Sequence, residues 1–467
     1  MAVISLDIGT TKICALVMDT DDGTVVETRS LDNAFLIPSH SWDRQQDPER
    51  IFGIVEDLVA ELKKKFGSFR CIGISTQMHG ILYVNNAGRA VSPLYTWQDQ
   101  CAFLPYSALP GGMPQTGSGE SYAAFLAKFS PSPVAPGYGL ASCFYHLRTG
   151  GIPSGAVKLC TIGDYIAMRL CNTNSPVMHS TNAASLGFFD IKSSRFDENA
   201  MEKAGLELSL LPRVSAGAEV FGETPNGIPV CVSIGDNQAS FLGTVRAPDK
   251  SISVSIGTGG IINLVSSEAL RIGNLEAWPY FDGFFLLVGA SLCGGRAYAI
   301  LESFFRNVLK MAGINDSRSL YSFMNDLAME TMTTGEEEGK GGFLTVNTLF
   351  SGSRTDPSVR GSIVNISEDN FTPAQFVTGF LNGIVDELYN LYLPVRGKVC
   401  HATLVGSGNA IRRNEALKRI LSAKFNMPLT LSSYPEEAAY GAALFALTCT
   451  GYFKNVSEAQ CFKWKAD

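Results

Sequence analysis

The chain has 467 residues, 45% hydrophobic and 17% charged, so at about 150 residues per domain it can build two or three buried cores. A net charge of −7 without a Lys/Arg block argues against nucleic acid or an anionic membrane surface as the main partner. Eleven cysteines, never in C-x-x-C spacing, and five histidines without ligand-like spacing argue against a disulfide frame or zinc site and for reduced thiols in a cytoplasmic chain.

The sequence opens on an apolar strand, MAVISLDIG, with no basic leader segment. Residues 3–6 and 13–18 read as strands around Gly9-Thr10-Thr11, and Asp21-Asp22-Gly23 turns into a third at 24–29. A helix is expected over 48–65, with Asp47 as its cap, Pro48 at its first position, and Ile51, Val55, Leu58, Val59 and Leu62 as its apolar stripe. A buried strand at 71–75 ends at Gln77-Met78-His79-Gly80. Residues 100–140, rich in Pro, Gly and Ser, read as an irregular insertion and a candidate lid. Near Pro225-Asn226-Gly227 the pattern restarts: a strand at 230–234, a Gly235-Asp236 turn, then a helix. Two apolar helices follow near 371–394 and 436–448, separated by a strand at 402–405 that runs into Gly406-Ser407-Gly408-Asn409 and a helix spanning 412–421. The run Glu336-Glu337-Glu338, between glycines, reads as a solvated loop. Alternating strands and helices indicate α/β layers, with a domain boundary near residue 228.

One pattern occurs twice. SLDIGT at 5–10 and SVSIGT at 253–258 each join two apolar strands through a Gly-Thr turn, a device that offers backbone N–H groups and hydroxyls to phosphate. Asp7 enters the first turn, either to cap it or to hold Mg²⁺ beside phosphates. Ser255 stands at the corresponding place in the second copy, so only the first offers a carboxylate. Asp236 opens a helix, either as its cap or as a general base for a hydroxyl that attacks phosphorus. Gln77 and His79, with Trp97 and Asp99 further on, read either as ordinary loop exits or as a polar and aromatic rim for a polyol.

In chain order, DIGTT at 7–11, QDP at 46–48, QMHG at 77–80, TWQD at 96–99, GDYI at 163–166, GDNQAS at 235–240, IGTGG at 256–260, GSGN at 406–409 and EEAAYGAALFA from Glu436 resemble the FGGY carbohydrate kinases over nearly the whole chain. The resemblance implies two RNase H-like α/β domains of the sugar kinase, Hsp70 and actin group with an interdomain active-site cleft. Domain 1–228 would carry the sugar and Mg²⁺ side and domain 229–467 the nucleotide side, the last residues packing back on the first domain. It implies ATP-dependent phosphorylation of the terminal hydroxyl of a ketose, sedoheptulose first, with xylulose, ribulose or another polyol as alternatives and a non-catalytic sensor outside that class. The implied partners are sugar and ATP, for a monomer or homodimer without nucleic acid or membrane. Asp236 matches the family's base and Asp7 its Mg²⁺ aspartate. Gly9, Thr10, Thr11, Gly257 and Thr258 match the phosphate turns, and Gly406, Asn409 and Asn414 the adenosine side. Gln77, Met78, His79, Trp97 and Asp99 match positions near the sugar. The chain departs from the family at Cys14, where many members carry Lys or Arg, with Lys12 as the candidate replacement charge. It departs again at Cys101, where an Arg is frequent.

Overall fold

A computed structural model describes residues 1–37, 40–106, 119–334, 344–352, 356, 358–398 and 401–462. Residues 107–118 of the candidate lid at 100–140 and the Glu336–Glu338 run lie outside the described residues. The chain divides into two compact units: Met1–Arg246 with Trp278–Phe284 and the segment from Glu436, and Ala247–Ala277 with Phe285–Pro435.

In the first unit, Ala2–Ile8, Lys12–Asp19 and Val25–Asp32 form an antiparallel meander. Phe69–Thr76 adds in parallel on the free side of Ala2–Ile8, and Pro229–Cys231 and Ile234–Gly235 pair in parallel with it in turn. Both faces are covered, which explains why Ile13–Met18 is buried without alternation. Pro48–Phe66 forms as the sequence predicts: Asp47 accepts from the amides of Glu49 and Arg50, and Ile51, Val55, Leu58 and Leu62 are buried.

The second unit repeats the plan. Ser251–Ile256, Gly260–Ser266 and Phe285–Ser291 form the antiparallel meander, and Thr403–Ser407 and then Leu429–Leu431 add in parallel beside Ser251–Ile256. Its core rests on Pro373–Tyr392, whose buried residues include Val377, Leu381, Ile384 and Leu388. The repeated mixed sheet is the RNase H-like arrangement that the sequence implies, and it confirms the duplicated hairpin.

Two local expectations are corrected. Within 100–140, Tyr122–Ala127 is helical and Gly139–Thr149 starts another helix. Ser121 caps the first, and Tyr106 stacks on Phe125 at 4.0 Å, so aromatic packing overrides the turn-rich composition. The helix expected over 412–421 breaks at Asn414. That residue leaves helical geometry after Asn409–Arg413 and caps Glu415–Phe425 by accepting from the amide of Leu417. Every cysteine among the described residues is free, and no helix among them is long and apolar enough to cross a membrane.

Candidate active site

The two Gly-Thr turns are held in the same way, through their carbonyls. In the first, Asn33 Nδ2 donates to Gly9, Gln46 Nε2 to Thr10, and the Asn33 amide to Thr11. In the second, the amides of Gly295 and Arg296, at the start of helix Gly295–Met311, donate to Gly257 and Thr258. Fixing the acceptors fixes the turn and keeps the amides of Thr10 and Thr258 as candidate phosphate donors. The register sharpens the asymmetry between the copies. Asp7 stands opposite Ser75, whose hydroxyl donates to it at 2.9 Å, whereas Ser255 stands opposite Ser407.

Lys12 starts the second strand of the first hairpin and binds both carboxylate oxygens of Glu436, at 2.7 and 2.9 Å. Cys14 faces the same side of that strand but is buried opposite Asp7, where the thiol is pushed up to about 12, chiefly by burial. Burial is also the main cause that raises Asp7 to about 6; Glu436 adds to the rise, while Ser75 and Lys12 oppose it.

Asp236 is the first residue of helix Asp236–Thr244, and Gly235, not Asp236, takes the cap position. The segment ahead of it is built from motifs distant in sequence. The Gly235 amide donates to Thr181 Oγ1 at 3.0 Å. The Ser233 hydroxyl donates to Asp164 Oδ1 at 2.7 Å, and Asn182 Nδ2 donates to the Ser233 carbonyl at 3.2 Å. Asp164 in turn completes a capping box with Thr161. Behind Asp236, the helix crosses Glu437–Cys449 at two glycines. A Cβ on Gly441 would lie 1.9 Å from the Ala239 carbonyl oxygen, and one on Gly243 would lie 2.1 Å from that of Glu437. Asp236 is raised to about 7, first by burial and then by the charge of Asp7.

The residues expected around a sugar divide. His79 has φ 73° and gives its Nδ1–H to the Ser185 carbonyl at 2.8 Å, which makes Nε2 the acceptor of the neutral ring. The ring stacks on Tyr138 at 4.5 Å and meets Trp278 edge-on at 5.7 Å. Met78 packs beside Gly235. Trp97 is 47% exposed, with Nε1 donating to Thr10 Oγ1 at 2.9 Å. The structure places Gln77 and Asp99 among internal hydrogen bonds. Gln77 is buried, accepts from Thr10 Oγ1 and donates to Gln46. Asp99 is buried and accepts from the amides of Arg44 and Cys101. Buried polar side chains such as these are hydrogen-bonded within the protein. Cys101 is likewise buried, so it offers no charge in place of the family's Arg.

In the second unit, Gly257, Thr258, Arg296, Tyr298, Asn409 and Asn414 line a cavity of about 600 Å³. Gly406 is not among the lining residues. It lies in strand Thr403–Ser407, with Ile411 and Leu429 against it, while Gly408, at φ 83°, makes the turn. The sequence pattern missed Tyr138, Trp278, Glu436 and Arg296. Only Glu436 lies in a recognised motif.

The family model for the N-terminal domain of the FGGY family of carbohydrate kinases matches residues 2–106 and 152–243, and that for the C-terminal domain matches residues 252–449. The sedoheptulokinase of Mus musculus is 29% identical over 447 residues, covering 86% of this chain and 87% of the relative. The gluconokinase of Bacillus subtilis is 23% identical over 475 residues, covering 96% and 88%. Among solved structures, the xylulose kinase of Rhodospirillum rubrum superposes with a TM-score of 0.82 at 19% identity, covering 99% of this chain and 92% of the other. With both domain models matched along most of its length and the paired hairpins in place, the chain belongs to the FGGY family of carbohydrate kinases.

Proposed function

We propose that this kinase transfers the γ-phosphate of ATP to the terminal hydroxyl of a ketose, with sedoheptulose as the preferred acceptor and sedoheptulose 7-phosphate as the product. The observation that carries the chemistry is Asp236: a partly buried carboxylate at a helix start, raised to about 7 and fixed from behind by Thr181, Asp164 and Ser233. Such a group takes the proton of an attacking alcohol near neutral pH. The choice of sugar is supported by the 29% and 27% identity to the mouse and human sedoheptulokinases, against 23–24% for the gluconokinase and glycerol kinases.

In this reading His79 Nε2 accepts a sugar hydroxyl, and Tyr138, Trp278 and Trp97 give apolar faces to the carbon chain. The turn amide near Thr10 stabilises charge on the transferring phosphoryl group. Among the described residues no group of three His, Cys, Asp or Glu side chains forms a metal cage. That fits Mg²⁺, which keeps several waters and phosphate oxygens and takes one or two protein carboxylates. Asp7 is the carboxylate that would hold it, with Ser75 orienting one oxygen. When bound, the ion would neutralise phosphate charge. The cytoplasm, where ATP is abundant, is the compartment this reading requires.

The test is a panel of sedoheptulose, xylulose, ribulose, gluconate and glycerol in an ATP-consumption assay. The highest kcat/KM is expected with sedoheptulose. Better turnover of another member would reassign the substrate, and tight binding of sugar and MgATP without product would identify a sensor.

A further inference from the structure

The cavity beside the second Gly-Thr turn contains a chain of hydrogen bonds whose direction is fixed at one end. Asn414 caps helix Glu415–Phe425, its Oδ1 accepting the Leu417 amide at 2.9 Å. That leaves Nδ2 as its donor, and Nδ2 donates to Asn325 Oδ1 at 2.8 Å. The Tyr298 hydroxyl donates to the same Asn325 oxygen at 3.0 Å. Asn414 and Tyr298 are buried, and the Asn414 amide is used at both ends. Asn325 is only partly buried and lines the cavity, and its two acceptor contacts assign its amide orientation: Oδ1 faces the relay and Nδ2 is the donor. Tyr321, 38% exposed, lies at the same cavity with its ring stacked on Tyr298 at 5.8 Å.

We propose that Asn325 reads the nucleotide base, donating its Nδ2–H to a ring nitrogen of the purine, and that Asn414 is a positioning residue that aims Asn325 rather than a base contact itself. The proposal rests on the reading of this cavity as the ATP site. The chemistry it recognises is an acceptor nitrogen on a flat aromatic ring, which Tyr321 is placed to stack against.

Asn325→Asp isolates the donor, because a carboxylate still accepts from Tyr298 and Asn414 but loses the NH₂ group. Its added charge weakens all triphosphates alike, so the informative quantity is a difference between ligands. Dissociation constants of ATP and its 1-deaza, 3-deaza and 7-deaza analogues are measured by calorimetry on the full-length wild type and on N325D. We expect one deaza analogue to bind the wild type at least about fivefold more weakly than ATP, the scale of one neutral hydrogen bond, and this gap to vanish in N325D. A wild type that binds all four within fivefold, or a gap that persists in N325D, overturns the assignment. Failure of the wild type to bind ATP at all would overturn the kinase site itself, so the two failures are distinct.

Discussion

Lys12 and Glu436 stand 424 residues apart in sequence and meet as an ion pair at 2.7 Å. The pair places a cation beside the first Gly-Thr turn and anchors it to the residue that precedes helix Glu437–Cys449. Both partners also act on the charge of Asp7. Lys12 thereby supplies charge next to Asp7, while Cys14, at the family's usual basic position, points into the core. Lys12→Met is expected to raise the KM for ATP about tenfold, the scale of one charge-assisted hydrogen bond, and to leave the sugar KM within twofold. An unchanged KM for ATP would remove Lys12 from the phosphate site.

Asp236→Asn should lower kcat by about 10³, the middle of the range for general bases, with both KM values altered only a few-fold. The wild type should also show an acid limb. The proposed base works as a carboxylate and burial raises its pKa to about 7, so kcat/KM should fall about tenfold per pH unit below that point and level off above it. A rate that is flat from pH 8 to pH 5, or an active D236N variant, would take the base role from this residue.

The glycine crossing behind Asp236 has a sign that packing decides. Gly441→Ala drives a methyl group into the Ala239 carbonyl and should cost about 1–3 kcal/mol or more. Gly53, in the interior of Pro48–Phe66, has nothing within 4 Å of its missing Cβ. Gly53→Ala should therefore stabilise by about 0.5–1 kcal/mol through helix propensity. Urea unfolding of the two variants should shift in opposite directions.

His146 is buried against Tyr83, and burial lowers it to about 4. Below its unfolded value of about 6.5 the unfolded chain binds a proton that the folded chain refuses, so this residue's contribution to stability is lost as pH falls from 6.5 toward 4. Between pH 7 and pH 5 the loss is about 2 kcal/mol. His146→Gln should remove that part of the pH dependence, seen as a smaller stability difference between the two pH values than in the wild type.

The meanders, Asp47 and its helix, and the Asp236 helix are legible in the sequence because each rests on local chemistry: an alternation, a cap, a turn. The nine ordered motifs made the family legible as well. What the sequence does not reveal is which polar side chains the protein uses for itself. Gln77 and Asp99 sit in motifs as prominent as that of His79, yet the turn at Thr10 and the amides of Arg44 and Cys101 claim them. Tyr138 and Trp278 reach His79 only through tertiary packing, from segments 59 and 199 residues away. Asn414 lines the cavity, and its motif does not reveal that it also caps a helix and bonds to Asn325.

The helix from Glu437 to Cys449 also sets a schedule for synthesis. The first unit joins Met1–Arg246 to the segment from Glu436, so on the ribosome its sheet is made before the helix that covers it. During that interval the carbonyl of Ala239 and the apolar face of strand Phe69–Thr76, where a Cβ on Gly73 would lie 2.3 Å from Ala442, wait uncovered. The proposed base therefore acquires its backing only after residues 437–449 have been made, about 200 residues later than the base itself.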